Sequence, residues 1–180
     1  MIKARRREEG SEFGRRHGVR RRGHGVDWNS TTAEIVRLIE LPLLPRTRDA
    51  DNPYQGYFEV VAGNNPGQRF LPVLEEEDGR QVLREDLAHV FRAINPYNNR
   101  RTLTLCNGMF GRGTYGAVRA LTDVRFRDRN ERFLRERFGG FDSFSVLAKV
   151  RVTATGDAVT PDWTVAESRL HEWPEPNGGS

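Results

Sequence analysis

The run Thr102-Leu103-Thr104-Leu105-Cys106-Asn107-Gly108-Met109-Phe110-Gly111-Arg112-Gly113-Thr114-Tyr115-Gly116-Ala117-Val118-Arg119-Ala120-Leu121 decides how this chain is read. Thr102 to Cys106 alternate β-branched and apolar side chains, as a strand does. Gly108 to Gly113 read as a loop, and Thr114 is placed to cap a helix through Ala117, Val118, Ala120 and Leu121. Gly111-Arg112-Gly113-Thr114-Tyr115-Gly116 fits G-x-G-x-x-G between a strand and a helix. Glycines let a backbone approach a ligand, and the free N–H groups at a helix start attract phosphate. Arg112 would add a charge-assisted bond.

Two departures separate this run from a dinucleotide fingerprint. Asn107 to Phe110 stand between the strand and the first glycine, and the next strand ends in Lys149-Val150-Arg151-Val152, where an acid is required. The expected ligand is therefore nucleotide-like or a phosphate group, held by Asn107, Gly108, Gly111, Arg112, Gly113 and Thr114. The competing structural reading is that the glycines permit a tight turn and close helix–sheet packing.

Working outward, a second helix is expected over 124–138, with Phe126, Phe133, Leu134 and Phe138 inward and Gly139-Gly140 as its stop. Phe144 to Val152 read as a long strand. Strand, glycine loop, helix, helix and strand in that order predict a right-handed parallel crossover. Upstream, residues 57–61, 70–74 and 87–94 read as strands, separated by turn signals at Gly63-Asn64-Asn65-Pro66-Gly67 and Asp78-Gly79. Pro72 would put the second of these at a sheet edge. The fold class is α/β with a mixed sheet in two or three layers. Thr31 and Glu34 have capping-box spacing for a helix over 31–40, and Pro42, Pro45, Pro53 and Gly56 mark a loop. Trp163 and Trp173 are expected to pack over an edge. The domain plan is an arm at 1–26, a short helix and proline-rich loop at 27–56, the α/β domain at 57–173 and a tail at 174–180.

Asn95-Pro96-Tyr97-Asn98-Asn99 makes a turn, and Asn95, Asn98 and Asn107 fall at strand ends where a base or ribose could be met by uncharged donors and acceptors. Cys106 ends one strand and His89 lies on another, which raises a Cys–His pair. A lone cysteine in an apolar strand is more often core filling. No carboxylate pair suits acid–base work, and the four histidines lack zinc-ligand spacing. No catalytic residue, metal site or certain cofactor is assigned. One cysteine excludes a disulfide framework, and no run is long and apolar enough for a membrane span or a signal peptide. A cytoplasmic protein is expected.

The charge is unevenly placed. Residues 1–26 carry Lys3, Arg5, Arg6, Arg7, Arg15, Arg16, Arg20, Arg21 and Arg22 against three glutamates, a net +6, while the remainder carries −2. Too few apolar residues stand in this arm for it to order itself. It reads as a polyanion or nucleic-acid contact, as a solvated tail, or as cloning-derived sequence around Gly10-Ser11-Glu12-Phe13. The chain holds 27 arginines and two lysines, a bias expected from GC-rich bacterial coding.

Asn95-Pro96-Tyr97-Asn98, Leu103-Thr104-Leu105-Cys106-Asn107-Gly108, Gly111, Gly113-Thr114, Gly116-Ala117 and Arg119-Ala120-Leu121 together resemble a C-terminal α/β domain of uncharacterised actinobacterial proteins. Some of these carry an N-terminal helix-turn-helix. The resemblance spans residues 86–123. It implies a Rossmann-like regulatory or signal-sensing domain with no established reaction. The alternatives are a nucleic-acid-associated protein working through its arm, and a nucleotide-acting enzyme using the glycine loop with Cys106 or His89.

Overall fold

The computed structural model describes residues 46–48, 56–60, 65–95 and 97–174. The expected arm, the helix over 31–40 and residues 175–180 lie outside the described residues.

Asp78 and Gly79 take φ values of 49° and 71°, the left-handed pair that a two-residue hairpin requires. They join β4 (Val73–Glu77) to β5 (Arg80–Asn95), a strand of 16 residues that forms the spine of the sheet. The Asn95 turn then reverses the chain into β6 (Asn98–Gly108). Helix α1 (Gly111–Thr122) and helix α2 (Arg127–Phe138) follow, then β7 (Phe144–Arg151) and β8 (Arg169–Trp173). The first half of β5 pairs with β4 and the second half with β6; its other side pairs with β7, which β8 borders. A smaller sheet runs β1 (Arg46–Arg48), β2 (Gly56–Glu59), β3 (Arg69–Phe70).

Strands and helices combine as expected, and the order strand, glycine segment, helix, helix, strand is present. The described pairings are all antiparallel, however, so the expected mixed sheet and direct parallel crossover are corrected. The Asn95–Asn98 hairpin forces β6 to lie antiparallel beside β5. The helices must then carry the chain across β5, leaving β6 and β7 parallel to each other with β5 between them, a split βαβ unit. Such a sheet keeps the α/β class but does not confirm a Rossmann-like unit. Pro72 does not merely mark an edge: the expected strand over 70–74 is broken there into β3 and β4, which belong to different sheets.

Alternation along β5 and β7 sends side chains to two cores, one on each face. On the helix side, Ala88, Val90, Val146, Ala148 and Val150 pack with Ala117, Ala120, Phe138 and Trp163. On the other side, Leu87 and Leu147 meet Phe58 and Phe70 of the small sheet, together with Val60 and Met109. Trp163 is 1% exposed inside the first core, which corrects its expected place over an edge. Trp173 does lie on the border strand β8. Asn130 of α2 anchors the segment around Trp163: its amide donates to the carbonyls of Ala120 and Pro161, and its oxygen accepts the Trp163 N–H. Arg137 and Arg169 both bond Glu172, tying α2 to β8.

Candidate functional site

Helix α1 begins at Gly111, earlier than the expected start at Thr114, so Gly111, Gly113 and Gly116 lie within it. Its N-cap is Phe110, whose side chain bonds nothing at the helix start. The missing cap comes from across the sheet. Asp86 of β5, fully buried, accepts the N–H of Phe110 at 3.1 Å and that of Gly113 through a short bond, besides the N–H of Leu87 at 2.8 Å. A carboxylate at a helix N-terminus satisfies orphan donors and complements the helix dipole. Asp86 thus sits where a bound phosphate would draw its donors. No signal in the chain announces it except the absence of Ser, Thr, Asp or Asn before Gly111.

The glycines here admit close approach. A Cβ on Gly113 would stand 2.0 Å from the Leu87 carbonyl oxygen, and one on Gly116 would stand 2.6 Å from a Val150 methyl. Gly111 meets nothing within 4 Å. The packing reading of the glycines therefore accounts for Gly113 and Gly116, which seat α1 against β5 and β7.

Beside this clamp lies a groove of about 700 Å³. The end of β6 forms one wall with Leu105, Cys106 and Asn107, and α1 forms the other with Thr114, Tyr115 and Val118; Met109 and Phe110 lie between. Tyr115 and Val118 are 51% and 42% exposed. Of the residues expected to hold a ligand, Asn107, Gly108, Gly111 and Thr114 line this groove. Gly113 is buried on the inner face of the helix. Arg112 is exposed and does not line the groove; its guanidinium lies within 3.5 Å of where a Gly156 Cβ would stand. Asn107 spends its side-chain oxygen on the Gly108 N–H. Asn95 and Asn98 stand at the opposite end of β6, roughly 30 Å along the strand. There their oxygens accept the N–H groups of Tyr97 and Arg100, so they shape the hairpin and do not converge with Asn107.

His89 and Cys106 are likewise kept apart. Cys106 is the partner of Val90 across the β5–β6 ladder and packs on the helix side, whereas His89 is the partner of Asn107 and faces the other way. Burial pushes the Cys106 thiol upward. His89 is fully buried, with Nε2 2.8 Å from Ser145 Oγ and Nδ1 without a hydrogen-bond partner. Desolvation, aided by His171, pushes it down to about 3. A nucleophile and a base therefore do not meet at any accessible point of this cluster. Among the described residues no group of three His, Cys, Asp or Glu side chains is arranged to hold a metal, and no helix is long and apolar enough to cross a membrane. The arginines proposed for nucleic acid, Arg5 to Arg22, lie outside the described residues. Comparison with family models, with curated proteins and with solved structures finds no match.

Proposed function

We propose that this chain is a non-catalytic recognition domain, regulatory or signal-sensing in role, whose ligand places an apolar or flat ring group between the end of β6 and α1. The groove walled by Leu105, Cys106, Tyr115 and Val118 carries the reading. It is open, largely apolar, and bordered by a few polar groups such as Thr114, the composition of a small-ligand site. The sensing role follows the resemblance of residues 86–123 to the actinobacterial α/β domains.

The same geometry narrows the nucleotide-like ligand expected from the glycines. Phosphate recognition needs the N–H groups of the helix start, and Asp86 already takes those of Phe110 and Gly113. A nucleotide-like ligand would enter ring first, with its phosphate left outside.

Thermal unfolding of the full chain against nucleosides, nucleotides and other flat heterocycles tests this. A ligand at 100 times its Kd adds about 2.7 kcal/mol. Nucleosides should shift the midpoint as far as their phosphorylated forms, and Val118→Arg should abolish the shift. A shift that demands phosphate and disappears in Arg112→Ala would reject the ring-first reading. No shift with any compound, and none with the peptides described below, would reject the groove as a site.

A further inference from the structure

The wall of the groove formed by β6 is also the border of the main sheet. Among the described residues β6 pairs with β5 alone, so the outward N–H and C=O groups of an 11-residue strand have no ladder partner. Proteins usually guard such an edge with charged side chains, a proline or a bulge, and here the charges, Arg100 and Arg101, stand only at the hairpin end. Between Asn98 and Gly108 there is no proline, and the one register shift in this ladder lies at Ile94/Asn95, at the hairpin. The exposed positions Thr102 and Thr104 suit further strand pairing.

The strands of this border carry charge of one sign, with Glu131 and Asp142 standing on the helix side near Arg92 and Thr102. From Leu87 to Thr122 no residue is acidic, while Arg92, Arg100, Arg101, Arg112 and Arg119 are basic. Arg119 is neutralised by Asp123. Arg100 and Arg101 are exposed on β6 and form no ion pair among the described residues. Among the described residues the border thus offers two guanidinium groups without an ion pair at one end and the apolar groove at the other, joined by a strand edge without a ladder partner.

Resting on the groove reading above, we infer that the partner of this domain is an extended acidic peptide that adds as a strand to β6. One of its apolar side chains fills the groove beside Tyr115 and Val118, and its carboxylates meet Arg100 and Arg101. Strand addition takes affinity from the main chain and specificity from pockets for alternate side chains. Charge, together with the apolar groove, favours this occupant over a basic segment, a second β6 strand or a nucleic acid. A second copy paired through β6 would set against the arginines a strand that carries no carboxylate of its own. The chain's own arm is basic, so it is repelled from the same arginines. A nucleic acid would use the arginines but leave the apolar groove unfilled, since no cation lines it.

Selection of a random peptide library on the full chain tests the inference, followed by affinity measurement of the enriched peptides. Enriched sequences should combine an apolar residue with acids toward one end. N-methylation of alternate peptide amides should abolish binding, because it removes the ladder donors. Arg100→Gln with Arg101→Gln, both at exposed positions, should weaken binding about tenfold. Affinity indifferent to N-methylation, or to the two arginine substitutions, overturns the inference. So does a library that yields nothing while oligodeoxythymidylate binds, an outcome that assigns the arginines to nucleic acid. If small heterocycles bind in a Val118-dependent way and no peptide does, the groove reading stands and the peptide inference fails. If neither binds, both fail.

Discussion

The Asp86 carboxylate accepts the backbone N–H of Gly113, 27 residues further along the chain, and so caps from β5 the helix that follows β6. This bond joins the centre of the sheet to the start of α1 and sets one end of the groove. It also explains how a helix with no capping side chain of its own can begin at a sharp turn.

Asp86→Ala should destabilise the fold by about 3 kcal/mol, because the N–H groups of Leu87, Phe110 and Gly113 all lose their acceptor. Denaturant titration measures this. The variant also gains a space lined by helix-start donors, so formate should restore part of the lost stability in Asp86→Ala and leave the parent unchanged at matched ionic strength. Equal responses in the two proteins would show that Asp86 does not hold an anion's place.

The three glycines of the motif should separate by packing. Gly111→Ala meets open space in a helix and should be neutral or stabilising by up to about 1 kcal/mol. Gly113→Ala drives a methyl into the Leu87 carbonyl and should cost about 3 kcal/mol or more. Gly116→Ala pushes on the Val150 methyls, which can shift, and should fall between them. A true phosphate loop would rank them by ligand affinity; this packing ranks them by stability.

Much of the fold is legible in the chain. The alternation of Leu103 and Leu105 marks β6, Asp78-Gly79 marks a hairpin, and Phe133, Leu134 and Phe138 mark the inward side of α2. Each signal is local. The arrangement of strands is not legible in the same way, because a strand–helix–helix–strand order is compatible with adjacent parallel strands and with a pair split by β5. Only the tight Asn95–Asn98 reversal decides, and it places β5 in the middle. The site was half legible. Asn107, Gly108, Gly111 and Thr114 do border the groove while Arg112 and Gly113 do not, and Asp86 lies 24 residues before Phe110, at the edge of a run of charged residues where nothing local distinguishes it. Its role exists only once β5 and α1 are packed.

Stability should fall as the solution is acidified, and His89 supplies one part of that fall. Its folded value of about 3 lies below the ordinary 6.5. Above about 6.5 the ring is neutral in both states and no penalty applies. As pH drops from there to about 3, the unfolded chain takes up a proton that the folded chain refuses, so stability is lost across that window by a few kcal/mol at most. Asp123 acts in the same sense at still lower pH: Arg125 bonds its carboxylate through side chain and backbone, with Arg119 adding to it, and holds it well below the usual carboxylate range. Urea unfolding at stepwise lower pH should show His89→Gln with a flatter slope between neutral pH and about 4. A slope identical to the parent's would remove His89 from the account.

Asn130 offers the sharpest test of how the segment after β7 is held. Its side chain makes three hydrogen bonds at 2.8–3.1 Å, to Ala120, Pro161 and Trp163, and is fully buried. Two of these partners lie on the segment that carries Trp163 into the helix-side core, and one lies in α1. Asn130→Ala strips an acceptor and two donors from buried backbone groups, and should cost about 2–4 kcal/mol. Asn130→Asp keeps the acceptor for Trp163 but sets a carboxylate against two carbonyl oxygens, so it should be at least as damaging. Hydrogen exchange locates the effect: in Asn130→Ala the Trp163 amide should exchange faster than the β5 and β7 amides, which keep their ladder. Uniform acceleration across the sheet would mean that Asn130 stabilises the whole domain and that residues 158–165 have no independent anchor.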